Sequence, residues 1–446
     1  MKNKVITRIA PSPTGLFHLG TARVALFNYL FTRQQGGQFI CRVDDTDRER
    51  SRPEYATDLF ASLAWLDLAY DETYRQSEHQ ALYRAKLEEL LAIDKIYWSQ
   101  ETPKEPGDRD SVLRFRNPGG KIVFDDLIRG RIEFAIEDLG DFVVAKDLDT
   151  PLYHFASVVD DLWSGITHVI RGEDHISNTP RQILMLEALG GERPIYAHLP
   201  IIMAPDKSKL SKRKHSDLAA ITAYRQRGYL PEAVLNFIAL LGWSPQSTQS
   251  EDKNEEILTK EGLLVKFDLT KVQKSGASLH LDKLNWLNRE HLKRLSPSQL
   301  KAKVLEYLPA EFLGAPWYDE AKLEQILPLL IERLDRLGEI GDWAAAGELT
   351  YFFLAPEFPA EKLKTPQYLI AIRARLATLP EGEFTAAGVR QRIWPLAEAE
   401  GRGAVLWPFR VALSGRDQSP DPFILAEILG RTETLKRIDY AQTISA

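Results

Sequence analysis

Residues 5–31 constrain this chain more than any other stretch. Val5 to Ala10 is short, apolar and rich in β-branched residues, with Arg8 as its single charge, and reads as a strand. Pro11, Pro13 and Gly15 exclude regular structure immediately afterwards, so the chain must turn there. From Ala22 onward Val24, Ala25, Phe27, Leu30 and Phe31 recur at helical spacing. Strand, tight turn and helix is the form of a nucleotide-binding βα unit, in which the ligand sits beyond the C-terminal end of the strand. His18 lies just ahead of the helix N-terminus, where phosphate is favoured, and Gly20 permits close backbone approach. Taken alone, His18 reads more readily as an ordinary surface-turn histidine.

At 446 residues the chain has room for about three domains. No run reaches the roughly 18 continuous apolar residues of a membrane span, and the N-terminus lacks the basic-then-apolar pattern of a signal peptide. The single cysteine, Cys41, excludes an intrachain disulfide and a cysteine-built zinc site. A cytoplasmic protein with no membrane partner is the expectation. The net charge of −6 means that any RNA contact must use local basic surface.

Downstream, Gly36-Gly37 ends the first helix, and Gln38–Val43 reads as a second strand running into Asp44-Asp-Thr-Asp47. Those polar residues suit a ligand pocket at a sheet edge, and Asp47 also suits the cap of a helix carrying Leu59, Leu63 and Leu66. Asp71 to Asp94 reads as amphipathic helix, and residues 97–146 as a β-rich insertion with scattered charge. In the apolar helix from Leu152, Tyr153 and Ser157 are four apart and share a face. Ile166 to His175 is an apolar strand ending in charge, and Asn178 and Pro180 open the next helix. Tyr196–Met203 is a further strand, followed by the lysine-rich loop Pro205–Lys214. After about residue 290 the pattern is helix upon helix, punctuated by Pro309, Pro316, Pro328 and Pro359.

Arg-x-Ala-Pro-Ser-Pro-Thr-Gly-x-x-His-x-Gly, from Arg8 to Gly20, closely resembles the first signature of the glutamyl-tRNA synthetases, and Lys209-Leu-Ser-Lys-Arg213 resembles the second class I signature. The resemblance runs from Arg8 to Ile438 and implies an α/β Rossmann-type catalytic domain in two halves (1–95 and 147–215). It further implies an inserted α/β acceptor-binding region (96–146), a stem-contact region (216–289) and an all-helical anticodon-binding domain (290–446). By the same resemblance glutamate is held by Arg8, Ala10, Ser12, Asp44, Tyr153, Ser157, Arg171 and Asp174. ATP lies against Pro11, Thr14, Gly15, His18, Gly20, Thr21, Lys209, Ser211 and Lys212, with His18, Lys209 and Lys212 carrying the catalysis. ATP is a substrate with Mg²⁺; structural zinc is not expected, since Trp98-Ser-Gln-Glu101 offers no cysteine where many relatives have them.

The implied partners are L-glutamate and tRNA(Glu), with tRNA(Gln) as a second acceptor in relaxed members; a monomer is the family expectation, and adenylation there needs bound tRNA. Arg8 is the candidate selector of glutamate, since a guanidinium clasps a carboxylate with two charge-assisted bonds and cannot satisfy an amide NH₂. Two positions depart from the family pattern: Asp44 replaces a glutamate and Ser157 an asparagine. They leave room for a catalytically dead tRNA-binding protein. A tRNA-modifying glutamyl-queuosine paralogue resembles only the catalytic half, and a general nucleotidyltransferase would lack the lysine loop and the helical third. Asp44→Glu and Ser157→Asn are each expected to leave adenylation active; loss of pyrophosphate exchange in both would show a rebuilt amino-acid pocket.

Overall fold

The computed structural model describes residues 4–47, 49–102, 110–210, 214, 216–245 and 253–446 (backbone only at 216, 217, 253 and 254). The chain forms two compact units, 1–291 and 292–446. The expected strand from Val5 is β1 (Ile6–Ile9), followed after the proline turn by helix α1 (Leu19–Gln34). Gly36 closes α1 with φ +60°, and Gly37 lies so close to β1 that a Cβ there would sit 2.3 Å from the Val5 carbonyl oxygen. The chain thus drops directly into β2 (Gln38–Val43), parallel to β1 with Arg8 opposite Ile40.

Helix α2 (Pro53–Trp65) has Arg52 rather than Asp47 in its cap position, with no side-chain capping bond. Pro53 starts that helix without needing a cap for its own nitrogen, and the Asp47 carboxylate instead accepts from the Arg50 amide at 3.1 Å. The stretch expected to be helical from Asp71 begins with β3 (Glu72–Arg75), a third parallel strand beside β2, and the helix proper is α3 (Gln80–Ala92). Four half-exposed residues carry too short an alternation to announce a strand.

Residues 96–151, the expected insertion and the few residues after it, contain β4 (Ile96–Gln100), β5 (Ser111–Phe115), β6 (Lys121–Asp126), β7 (Gly130–Ala135), β8 (Phe142–Asp147) and β9 (Thr150–Pro151). Strands β4, β5, β8 and β9 form an antiparallel sheet in that order. The hairpin β6–β7 instead joins the catalytic sheet, because β6 pairs in parallel with β11 (Ile195–Leu199), which pairs in parallel with β10 (His168–Gly172). Helices α4 (Tyr153–Trp163) and α5 (Thr179–Ala188) flank this half. Asn178 occupies the cap position of α5 but makes no capping bond; its amide faces His175 Nδ1 at 3.3 Å. Pro200 breaks the expected strand 196–203 into β11 and the short β12 (Ile202–Met203), which pairs with β13 (Ala277–Ser278).

Just before β10, the Thr167 hydroxyl accepts from the Ile6 amide of β1 at 2.9 Å and the Thr167 amide donates to the Ile6 carbonyl at 3.0 Å. Among the described residues no ladder joins β1 to β10, and at their C-terminal ends the side chains of Arg8 and Arg171 line an opening. Residues 216–291 share one apolar core with α1 and α2, through Ile221, Val234, Phe237, Leu263 and Leu284 among others. Within the second unit the helices include Glu320–Ile331, Ala386–Glu400, Arg402–Ser414 and Pro422–Ser445. Pro328 lies inside the first of these rather than between helices; the buried face of Leu323, Ile326, Leu327 and Leu330 retains the helix despite the missing N–H. Buried Arg437 ties the last helix to the carbonyls of Tyr351 and Leu354 at 2.7 and 3.0 Å. No described helix is long and apolar enough to cross a membrane.

Cys41 is enclosed in β2, and burial pushes its thiol up to about 12 against an opposing hydrogen bond from Thr73. A thiol-specific reagent should therefore label the native protein on the order of 10³-fold more slowly than the unfolded chain; comparable rates would contradict this packing.

Candidate active site

The opening between the half-sheets is a cavity of about 370 Å³ at the C-terminal ends of β1 and β10, within the range of small-molecule sites. Of the anticipated residues, Arg8, Ala10, Pro11, Ser12, Gly15, His18, Gly20, Thr21, Tyr153, Arg171, Asp174 and Lys209 line it. Asp44, Ser157 and Thr14 do not; Ser211 and Lys212 lie outside the described residues.

His18 caps α1, and its Nδ1 accepts from the Gly20 amide at 3.0 Å. In the neutral ring that leaves the proton on Nε2. Only glycine fits beside it: a Cβ on residue 20 would lie 2.8 Å from His18 Cε1. From the other side of the cavity come Lys209 and Leu210. Lys209 bridges to Met203, its ammonium is 4.0 Å from the Asp174 carboxylate, and the Leu210 amide donates to the Ile202 carbonyl at 3.0 Å. The chain returns at Ala220, which forms a bridge with His18, and the Ile221 amide donates to the Phe17 carbonyl at 2.9 Å. The start of the lysine loop is thereby fastened to β12 and the chain that follows it to the histidine turn.

Arg8 donates from Nε and Nη2 to the two carboxylate oxygens of Asp161, at 3.0 and 3.2 Å. Two of its five N–H groups are used, and three remain on a side chain that lines the cavity. Behind it lies Arg42, fully buried in β2. Arg42 donates to Asp44 from Nε at 2.6 Å and Nη2 at 3.2 Å, to Asp161 at 2.7 Å and to Ser157 Oγ at 3.0 Å. This is where the two departures from the family pattern sit: Asp44 and Ser157 both hold Arg42, and neither faces the cavity. Burial pushes the Asp44 carboxyl up to about 6 despite its bonds to Arg42. Burial would raise Asp161 too, but Arg8 and Arg42 overcome that and hold it below the usual carboxylate range. Asp160, the neighbour of Asp161 in the last turns of α4, is fully buried and accepts from Gln76 at 2.7 Å and Tyr83 at 2.8 Å, with His79 Nδ1 also at 2.8 Å.

Arg171 is the second guanidinium at the cavity. Its Nη1 donates to Gln182 Oε1 at 2.7 Å, its Nη2 to Thr179 Oγ1 at 2.8 Å, and its Nε to His198 Nε2 at 3.1 Å. Tyr153, the first residue of α4, lines the same cavity, and burial pushes its phenol up.

Several lining or supporting residues were not anticipated. Glu173 accepts from the Ile201 amide at 2.7 Å and pairs with Arg129 of the β6–β7 turn. Arg23, buried in α1, donates to the carbonyls of Pro200 and Leu241; burial lowers it to about 10. Arg42 and Asp161 stood in plain view as charges within apolar segments. That is the signal that could have found them, since buried charge needs a partner. Among the described residues no group of three or more His, Cys, Asp or Glu side chains could hold a metal.

A family model described as the catalytic domain of class I tRNA synthetases (E and Q) matches residues 4–106 and 99–286, and one described as an anticodon binding domain matches 299–442. The chain is 38% identical over 475 aligned residues to glutamate–tRNA ligase 1 of Acidithiobacillus ferrooxidans, covering 98% of this chain and 99% of that one. It is 37% identical to the glutamate–tRNA ligase of Moorella thermoacetica, covering 98% of each. The solved glutamate–tRNA ligase of Elizabethkingia meningosepticum, in complex with its amino acid, has a TM-score of 0.85 at 31% identity and covers both chains fully. This chain belongs to the class I tRNA synthetases of the glutamate and glutamine type, and within them to the glutamate–tRNA ligases.

Proposed function

We propose that this protein activates L-glutamate with ATP and transfers it to tRNA(Glu). The observation that carries the reading is one cavity lined by the His18 turn, by the start of the lysine loop and by Arg8 and Arg171. An oxygen of glutamate's α-carboxylate attacks the α-phosphorus of ATP. The bond from that phosphorus to the pyrophosphate oxygen breaks, giving glutamyl-adenylate and pyrophosphate. A ribose hydroxyl of the terminal adenosine of tRNA then attacks the glutamyl carbonyl, and AMP leaves.

Neither step needs a protein nucleophile, so catalysis rests on alignment and on stabilising charge. Arg8 clasps one carboxylate of glutamate and Arg171 adds charge and a remaining N–H. Lys209 and Lys212 meet the negative charge that grows on the departing pyrophosphate, and His18 Nε2 donates to the phosphates from the opposite side. Mg²⁺ enters with ATP as its phosphate counter-ion. The 216–289 region serves the tRNA stem, the insertion its acceptor end, and the second unit its anticodon. There Trp394 has Arg390 and Arg402 at 4.5 and 4.8 Å from its ring centroid, a cationic aromatic surface of the kind that receives unstacked bases.

ATP–pyrophosphate exchange with glutamate, run with and without tRNA(Glu), tests this reading. Exchange that requires tRNA, followed by alkali-labile glutamyl-tRNA, is expected; tRNA binding with no exchange under either condition would identify an inactive paralogue. Parallel charging of tRNA(Gln) separates the strict from the relaxed enzyme, and sedimentation tests the expected monomer. Gly20→Ala is expected to push the His18 ring aside and slow exchange by on the order of 10²-fold. Melting temperature should hold or rise, because alanine favours helix. Unchanged exchange would remove His18 from the phosphate site.

A further inference from the structure

Three adjacent strands carry a line of buried polar groups that ends at the cavity. Arg171 on β10 lies directly opposite His198 on β11, and Asp126 ends β6 beside them, opposite Tyr196. His198 is fully buried; its Nδ1 lies 2.6 Å from Asp126 Oδ2, and its Nε2 is the atom that Arg171 Nε approaches at 3.1 Å. Asp126 is fixed in turn, because its Oδ1 accepts from the amides of Ile128 and Arg129 at 2.9 and 2.8 Å and its Oδ2 from the His198 amide at 3.0 Å.

Thr179 Oγ1, 3.3 Å from His198 Nε2, can donate or accept there, so the Arg171 bond is what selects the arrangement of protons. An arginine Nε can only donate, so His198 Nε2 must be a bare acceptor. The ring proton then sits on Nδ1 and is donated to Asp126, which is what an ionised carboxylate at 2.6 Å requires. Burial first, and Arg171 with it, lowers His198 against the pull of Asp126, so the ring is neutral. Burial opposes the charge on Asp126, but the His198 bond and the two loop amides hold its carboxyl below the usual range. With the opposite tautomer, Nε2–H would face Nε–H and drive the guanidinium away.

We infer that Asp126 and His198 are positioning residues for glutamate: Asp126 locks the His198 tautomer, and His198 Nε2 then holds Arg171 so that its uncommitted Nη1–H serves the substrate carboxylate. Gln182 and Thr179 fix the rest of the fork, and four of its five N–H groups are then at most engaged, counting a long 3.5 Å approach to the His175 carbonyl. The inference rests on the proposed contact of Arg171 with glutamate. It also makes the end of the inserted hairpin part of the amino-acid site, although Asp126 touches no substrate.

Two side-chain replacements separate this role from simple packing. His198→Asn retains a donor near the Nδ1 position for Asp126 but has no atom where Nε2 was. His198→Gln places an amide oxygen near Nε2. In pyrophosphate exchange with tRNA present, His198→Asn should raise KM for glutamate by about tenfold or more, equivalent to the roughly 1.4 kcal/mol of one directed contact. KM for ATP should stay within about twofold, and His198→Gln should recover part of the loss. Equal glutamate KM values in the two variants, or glutamate and ATP values rising together, would overturn the inference. Arg171→Lys is the control on the underlying reading: an unmoved glutamate KM there would sink the Arg171 assignment itself, independently of His198. Nitrogen-15 NMR of the unmodified protein gives a readout that no folding defect can obscure. A protonated Nδ1 and bare Nε2 on His198 near neutral pH are expected, and a protonated Nε2 would refute the lock.

Discussion

The catalytic unit depends on one buried guanidinium. Arg42 sits near the C-terminal end of β2 with no exposed surface, and moving such a charge out of water costs several kcal/mol unless it is fully paired. Asp44, Asp161 and Ser157 supply that pairing from the end of its own strand and from α4. Removing one member of such a cluster typically costs about 3–5 kcal/mol, because the remaining charges stay buried without a partner. The same contacts fix where α4 lies against the sheet, and therefore where Tyr153 and Asp161 stand. Asp161 then orients Arg8 through two bonds. The electrostatics that hold the half-sheets together are thus continuous with those proposed to select the substrate.

The acidic pair Asp160–Asp161 makes the point from the other direction. Carboxylates near a helix C-terminus oppose the helix dipole, so α4 alone would not favour them. They persist because Arg8 and Arg42 meet one, and Gln76, Tyr83 and His79 meet the other. Asp44 fits the same logic: its two oxygens are taken by Arg42 of the same strand, so the position serves the network. A parallel division of labour holds at Arg171, whose fork is held by neutral acceptors from β11 and α5. One arginine is oriented by charge and the other by a fixed proton arrangement.

Much of this site was legible in the amino-acid order, and for a physical reason. The strand, proline turn and helix around His18 are local structures set by proline and glycine stereochemistry and by apolar spacing. Lys209 stood out as part of a basic loop after an apolar strand. What could not be read was everything decided by long-range pairing. Nothing nearby in the chain says that Arg42 meets Asp161, or that the β6–β7 hairpin leaves the insertion to join the catalytic sheet. The helix expected from Asp71 hid β3, because four half-exposed residues become a strand only beside β2. Asp47 had the chemistry of a cap, yet Pro53 set the start of α2 several residues later.

The central claim is that the arginine fastened by this network is the one that recognises glutamate. Arg8→Lys tests it most directly, since an ammonium keeps the charge but cannot bind Asp161 and a ligand carboxylate as two planar forks. Steady-state pyrophosphate exchange with tRNA present should show KM for glutamate raised by at least about tenfold, with KM for ATP nearly unchanged. A glutamate KM equal to that of the unmodified enzyme, or a matched rise for both substrates, would contradict the account.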